Sequence, residues 1–178
     1  NLVARKIAPA LAAGCTIICR PSEQTSSVAT ILVECCLEGG VPADAIQLVT
    51  GVPDPISSAI MASNTVRKIS LTGSTAVGRL LMSQAADTIK RCSMELGGHS
   101  PVIVCDDVDV DAVASLCGQF KFRNVGQVCI APNRFYVHES VAPAFKQKMV
   151  EYAQALNVGD GREEGTDMGP LTTPRQLD

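Results

Sequence analysis

The chain has 178 residues, with 15 Lys and Arg against 18 Asp and Glu, for a formal net charge of −3. Its 46% hydrophobic content excludes a disordered chain, and the mildly acidic balance argues against broad binding to nucleic acid or anionic membranes. No apolar run reaches the roughly 20 residues that cross a bilayer.

Leu2 to Ala13 has a helical pattern closed by Gly14, followed by a short β-prone run, Thr16 to Arg20, that Pro21 stops. Ser26 or Ser27 can cap a helix that runs to about Glu38 and ends at Gly39-Gly40. Ile46 to Thr50 reads as a strand and Pro55 to Ser63 as a helix; Arg67 to Thr72 reads as a strand and Ser74 to Ala86 as a helix. Arg91 to Leu96 is the next strand, broken by Gly97-Gly98. The pattern then restarts: strand Pro101 to Cys105, helix Val110 to about Asn124, strand Arg134 to His138, helix Val141 to Leu156, and a polar loop from Asn157. This alternation predicts an α/β fold with right-handed crossovers and a parallel sheet. The Gly97-Gly98 pair is the best candidate domain boundary, although a glycine pair also suits an ordinary turn.

The chain opens at Asn1 with neither Met nor a signal-peptide pattern and stops at Asp178 in a polar stretch, as expected of a segment of a longer protein. It carries eight Cys, most of them inside apolar segments. That placement predicts reduced, buried thiols in a cytoplasmic protein rather than a disulfide framework. With no C-x-x-C and only His99 and His138 as histidines, no metal site is expected.

Four motifs can carry chemistry. In Thr72-Gly73-Ser74-Thr75 a strand ends and a helix begins, so Gly73 allows close backbone approach and the first turn offers N–H groups to a phosphate; an ordinary Ser cap explains the same residues. Arg20-Pro21-Ser22-Glu23 follows the first strand, where ligands of open α/β sheets bind, and an acidic group there can accept both hydroxyls of a ribose; alternatively, Pro and Glu simply start a helix. Glu95 lies between Met94 and Leu96 at a strand end, where partial desolvation would suit a general base, or it is an exposed strand tip. Cys129 stands in a polar loop after a long helix, with Arg123 upstream; it is either a nucleophile or a buried loop thiol. No His stands near Cys129 in sequence, which gives a Cys–His protease arrangement little support.

Together these motifs resemble the NAD(P)-dependent aldehyde dehydrogenase superfamily. Ala8-Pro9-Ala10-Leu11-Ala12-Ala13-Gly14, Arg20-Pro21-Ser22-Glu23, Leu71-Thr72-Gly73-Ser74, Glu95-Leu96-Gly97-Gly98 and Gly126-Gln127-Val128-Cys129 occur in that family's order and approximate spacing. The resemblance implies parallel sheets flanked by helices, with residues 1–98 as part of a Rossmann-like NAD-binding domain and 99–178 as the first part of a catalytic domain. It implies Cys129 as the nucleophile that attacks an aldehyde and Glu95 as the base that activates water against the thioester. The Cys129 N–H would supply half of an oxyanion hole. Gly73, Ser74 and Leu96 would lie against the cofactor, and Arg20, in place of the family's usual Lys, and Glu23 would contact the adenosine ribose. A carboxylate at Glu23 favours NAD over NADP, whereas the Arg20 guanidinium can pair with a phosphate, so NADP stays open.

Lys121 to Gln127 resembles the stretch before the nucleophile in succinate-semialdehyde dehydrogenases, which implies that Arg123 holds a distal carboxylate. Alternatives are an Arg123 that caps its helix, a 2-oxoglutarate semialdehyde or other aliphatic substrate, and a non-catalytic nucleotide-binding or structural fragment. An acylating, coenzyme A-dependent enzyme is disfavoured because it needs no water-activating acid. Ala131 stands where some semialdehyde enzymes carry a second Cys, so no redox disulfide is expected. The second oxyanion donor of the family, an Asn, would precede Asn1, so this segment alone is expected to have little activity. A homo-oligomer, dimer or tetramer, is expected of the full-length protein.

Overall fold

Three strand–helix–strand units follow one another in residues 1–177, which the computed structural model describes. A helix α1 (Ala4–Ala12) leads into β1 (Ile17–Cys19), α2 (Ser26–Glu38) and β2 (Ile46–Leu48). A connecting helix α3 (Pro53–Ala62) precedes β3 (Lys68–Thr72), α4 (Thr75–Ala86) and β4 (Arg91–Glu95). The third unit is β5 (Val102–Val104), α5 (Val110–Phe122) and β6 (Phe135–Val137), followed by α6 (Ala142–Ala155). Residues Asn1–Leu96 form one compact body, and a second begins at Gly97.

In each unit the two strands pair in parallel, with Ile17 opposite Ile46, Thr72 opposite Glu95 and Val102 opposite Phe135. The α/β fold with parallel strands flanked by helices is as expected; among the described residues the strands form three parallel pairs, β1–β2, β3–β4 and β5–β6, rather than one sheet. A crossover fixes the hand of a connection but not adjacency, since consecutive strands neighbour one another only about two-thirds of the time.

Glycine punctuation explains where two helices stop. At the end of α1, Gly14 adopts φ +72°, its N–H donates to Leu11 O at 2.9 Å and the Cys15 N–H donates to Ala10 O at 2.9 Å. At the end of α2, Gly40 adopts φ +93°, with N–H bonds from Gly40 to Leu37 O and from Val41 to Cys36 O, both at 3.0 Å. These are two Schellman closures, each with a left-handed glycine that avoids a Cβ clash. The start of α2 differs from expectation. Neither Ser26 nor Ser27 caps it; Ser22 caps a 3-10 turn, Glu23–Thr25, by accepting from Gln24 N at 3.3 Å, and the helix continues from that turn.

A third closure of the same kind uses no glycine. After α4, Ile89 adopts φ +51°, its N–H reaches Ala86 O at 3.3 Å and the Lys90 N–H reaches Ala85 O at 3.0 Å. Ile89 is 90% exposed, so no packing compensates the strained backbone. A left-handed L-residue costs roughly 1–2 kcal/mol. Ile89→Gly is therefore expected to stabilise the protein by about 0.5–1 kcal/mol, the gain being reduced by the greater unfolded-state freedom of glycine. The check is the midpoint of urea unfolding; a lower midpoint in the variant contradicts the assignment.

The first body packs Ile7, Val33 and Ile46 together, with Val3, Leu11, Ile17, Leu32 and Leu48 around them, so α1 and α2 cover the β1–β2 pair. In the second body, Val104, Ala114, Cys117 and Phe145 form the core between β5–β6 and the helices α5 and α6. Helix α5 approaches α6 closely at Gly118, where an added Cβ would lie 2.5 Å from the Tyr152 ring. Burial of that area is what holds helices of this length, since isolated helices of such size are marginal in water.

All eight cysteines are free thiols, but the expectation that they are buried fails for most of them. Cys117 is buried, whereas Cys15, Cys35, Cys105 and Cys129 are exposed. Cys15 and Cys105 lie outside regular elements because α1 ends at Ala12 and β5 at Val104. Cys35 shares an outward stripe of α2 with the exposed Val28 and Ile31, at helical spacing. No helix among the described residues is long and apolar enough to cross a membrane.

Candidate active site

The residues singled out in the sequence fall on both bodies. In the first, four of them lie just past strand ends. Arg20 follows β1, and its Nη2 donates to Glu23 Oε1 across the 3-10 turn in a close ion pair. The backbone N–H of Glu23 first, and then the Arg20 guanidinium, hold the Glu23 carboxyl below the usual range for a glutamate. Arg20 also reaches Gly51 O at 3.5 Å, while its Nε is buried with no partner among the described residues. The half-exposed Glu23 carboxylate remains open as an acceptor, while the buried Arg20 Nε is not presented to a ligand. An acceptor of that kind fits the hydroxyls of a ribose, which can both donate to it.

Gly73 and Ser74 turn the chain from β3 into α4. The Gly73 N–H donates to Glu95 O at 3.0 Å, which extends the β3–β4 ladder by one bond beyond the Thr72–Glu95 pair. Ser74 is the N-cap of α4: its Oγ accepts from Val77 N at 3.3 Å. Its capping role and a place beside a phosphate are compatible, because one cap leaves other first-turn N–H groups without intrahelical acceptors.

Glu95 ends β4. The expected shielding between Met94 and Leu96 is absent, and the reason is strand alternation: Met94 turns to the half-buried face and Glu95 to the exposed one. Leu96 packs on α4, where a Cβ on Gly78 would lie 2.7 Å from Leu96 Cδ2. A Leu96 side chain used in this way leaves its backbone as the group free to meet a ligand.

Lys6 is a neighbour that sequence reading did not single out. Its Nζ donates to Ser70 Oγ on β3 at 2.9 Å. Burial pushes its pKa down, while the negative charge of Glu95 pulls it back up. Its position one residue before the buried Ile7 of α1 was the available signal, but only the fold brings it to β3.

In the second body, α5 ends at Phe122 and the chain passes through a tight left-handed turn before Cys129. Asn124, Val125 and Gly126 take φ of +53°, +60° and +72°. Arg123 is the C-cap of α5, with its backbone N–H bonded to Gln119 O. Its exposed guanidinium makes no ion pair or hydrogen bond among the described residues, so it does not cap the helix through its side chain. Cys129 is exposed, and its carbonyl accepts from Ser100 Oγ at 3.4 Å. Its backbone N–H has no acceptor among the described residues. Lys121 Nζ ties the last turn of α5 to Asn133 Oδ1 beyond the loop at 2.6 Å, and the Asn133 N–H bonds His99 O at 2.9 Å. An exposed thiol with a free N–H at its own residue can attack a carbonyl and donate to the oxygen that becomes negative.

Arg20 and Glu23 are thus brought into direct contact, and Gly73 is joined to Glu95 through the backbone. Arg123 and Cys129 stand on one loop system of the second body. Gln127, two residues before Cys129, also makes contacts that the motif alone did not reveal.

Residues 1–178 match the family model described as the aldehyde dehydrogenase family. A probable succinate-semialdehyde dehydrogenase [NADP(+)] of Sinorhizobium fredii (strain NBRC 101917 / NGR234) is 47% identical over 178 residues, which cover 99% of this chain and 36% of that protein. A 3-sulfolactaldehyde dehydrogenase of Pseudomonas putida is 44% identical over 170 residues, covering 96% of this chain and 35% of that protein. The crystal structure of a succinate-semialdehyde dehydrogenase from Burkholderia pseudomallei superimposes with a TM-score of 0.95 at 45% identity, over 98% of this chain and 36% of that one. The chain therefore spans about a third of the length of the relatives it matches.

Proposed function

The chain belongs to the aldehyde dehydrogenase family, and from that premise we propose that it carries the nucleophile, the base and part of the cofactor site of an NAD(P)-dependent enzyme that oxidises an aldehyde bearing a distal anion. The observation that carries this reading is the Cys129 loop, with an exposed thiol and a backbone N–H that has no acceptor among the described residues.

The Cys129 sulfur adds to the aldehyde carbon, and the Cys129 N–H donates to the oxygen on which charge develops. A bound nicotinamide would supply the hydride acceptor for the thiohemiacetal held on Cys129. Glu95 then takes a proton from the water that hydrolyses the Cys129 thioester. Gly73 and Ser74 would hold the pyrophosphate and nicotinamide end, Leu96 would add a backbone contact, and Arg20 with Glu23 would hold the adenosine ribose.

The Arg20–Glu23 pair bears on cofactor choice. Glu23 repels a 2′-phosphate, but its charge is already shared with Arg20, whose buried Nε lacks a partner among the described residues. NAD is favoured and NADP is accommodated, and the Sinorhizobium fredii relative is named for NADP(+).

Arg123 sets the substrate class. Its guanidinium is exposed and unpaired among the described residues, and it can take a carboxylate in a bidentate grip. The relatives named for succinate semialdehyde and 3-sulfolactaldehyde support an aldehyde that carries an anion, and succinate semialdehyde is the proposed substrate. A hydrogen bond to a charged group contributes roughly 1.5–3 kcal/mol. Arg123→Ala in the full-length protein is thus expected to cut kcat/KM for succinate semialdehyde by about 10- to 100-fold while leaving propanal nearly unchanged. An unaltered preference for succinate semialdehyde over propanal would remove Arg123 from the substrate site.

A further inference from the structure

We propose that Gln127 is a positioning residue for Cys129, which it serves by clasping the left-handed turn Asn124–Gly126 and tying that turn to Thr172. This rests on Cys129 as the nucleophile, and it names a residue that acts through it. The turn needs such a clasp. Val125 takes φ +60° and ψ +26°, a conformation that a β-branched side chain resists, and the flanking Asn124 and Gly126 are left-handed as well. Backbone in this region persists only where its surroundings over-determine it.

Gln127 supplies that constraint from both ends of its side chain. Its Nε2 donates to Asn124 O at 3.0 Å, and its own backbone N–H donates to the same carbonyl at 3.0 Å. Asn124 Nδ2 returns a bond to Gln127 O at 3.2 Å. The remaining end, Gln127 Oε1, accepts from the Thr172 N–H at 3.0 Å, across 45 residues of chain. The turn is closed locally by the amide nitrogen and anchored distally by the amide oxygen. Cys129 follows two residues later, so the direction of its N–H and thiol is inherited from this clasp. Alanine loses both bonds. Glutamate keeps the acceptor for Thr172 and loses the donor to Asn124.

The test uses Gln127→Ala and Gln127→Glu in the full-length protein, with three readouts. In Gln127→Ala, kcat is expected to fall about 10- to 100-fold with KM for the aldehyde within about threefold, because misplacement of the nucleophile is felt in the transition state. The Thr172 amide should exchange hydrogen faster in Gln127→Ala and stay protected in Gln127→Glu, which should also recover part of kcat. The buried Cys117 reports on the fold and should stay unreactive toward iodoacetamide in both variants. A kcat within twofold of the parent overturns the proposal, and so does a Cys117 that becomes reactive, since the loss is then one of folding. Turnover that survives Cys129→Ala would instead remove the nucleophile assignment, and it would leave the Thr172 exchange result standing.

Discussion

Cys129→Ala is expected to lower aldehyde oxidation in the full-length protein by about a thousandfold or more, with NAD(P) binding unchanged. Exposure alone does not single out this thiol, because Cys15, Cys35 and Cys105 are exposed too. What distinguishes Cys129 is its setting. It sits on a loop braced by Lys121–Asn133 and by Ser100, which hold the segment that presents its thiol and its backbone N–H. Cys35 lies within a helix, where its N–H belongs to the helical ladder. Cys105→Ala and Cys35→Ala are the matched controls and should leave the rate within about twofold, as surface changes away from chemistry do. Steady-state rates with succinate semialdehyde, together with a cofactor-binding titration, check both halves of the expectation.

Glu95→Gln is expected to lower steady turnover by about 100- to 10,000-fold, the range that a general base contributes. The amide has nearly the shape of the carboxylate and cannot take the proton of water. Formation of the Cys129 thioester does not need that proton transfer, so a burst of reduced cofactor should survive while the second step stalls. The exposed position of Glu95 at the end of β4 leaves room for a water beside it. Rapid mixing separates the two phases. Loss of the burst together with turnover would place Glu95 in an earlier step or in the fold.

Local signals in the sequence specified most of this architecture, and long-range contacts specified what it lacked. Gly14 and Gly39-Gly40 marked helix ends because a left-handed closure favours glycine, and Ser74 marked the start of α4 because its hydroxyl meets Val77 N. The equivalent closure at Ile89 was illegible, since nothing in an isoleucine announces positive φ. Strand pairing also resisted reading: alternation showed where strands lie but not that β2 and β3 fail to pair. The apolar flanks of Glu95 suggested shielding, yet neighbours in a strand point to opposite faces, so Met94 cannot cover it. Most cysteines followed the same lesson, because apolar sequence neighbours do not bury a side chain on the outward face of α2 or beyond a strand end. At the loop, Cys129 and Arg123 were visible as residue types in a pattern. The clasp by Gln127 was not, because Thr172 lies 45 residues away in a stretch read only as loop.

The most direct test is to mix the full-length Glu95→Gln variant with succinate semialdehyde and NAD(P) and to locate the trapped acyl group among the cysteine-bearing peptides by mass spectrometry. The account predicts a succinyl thioester on Cys129 and on no other cysteine, formed in step with the burst of reduced cofactor. An acyl group on a different cysteine, or reduced cofactor formed with no acyl group on Cys129, would contradict it.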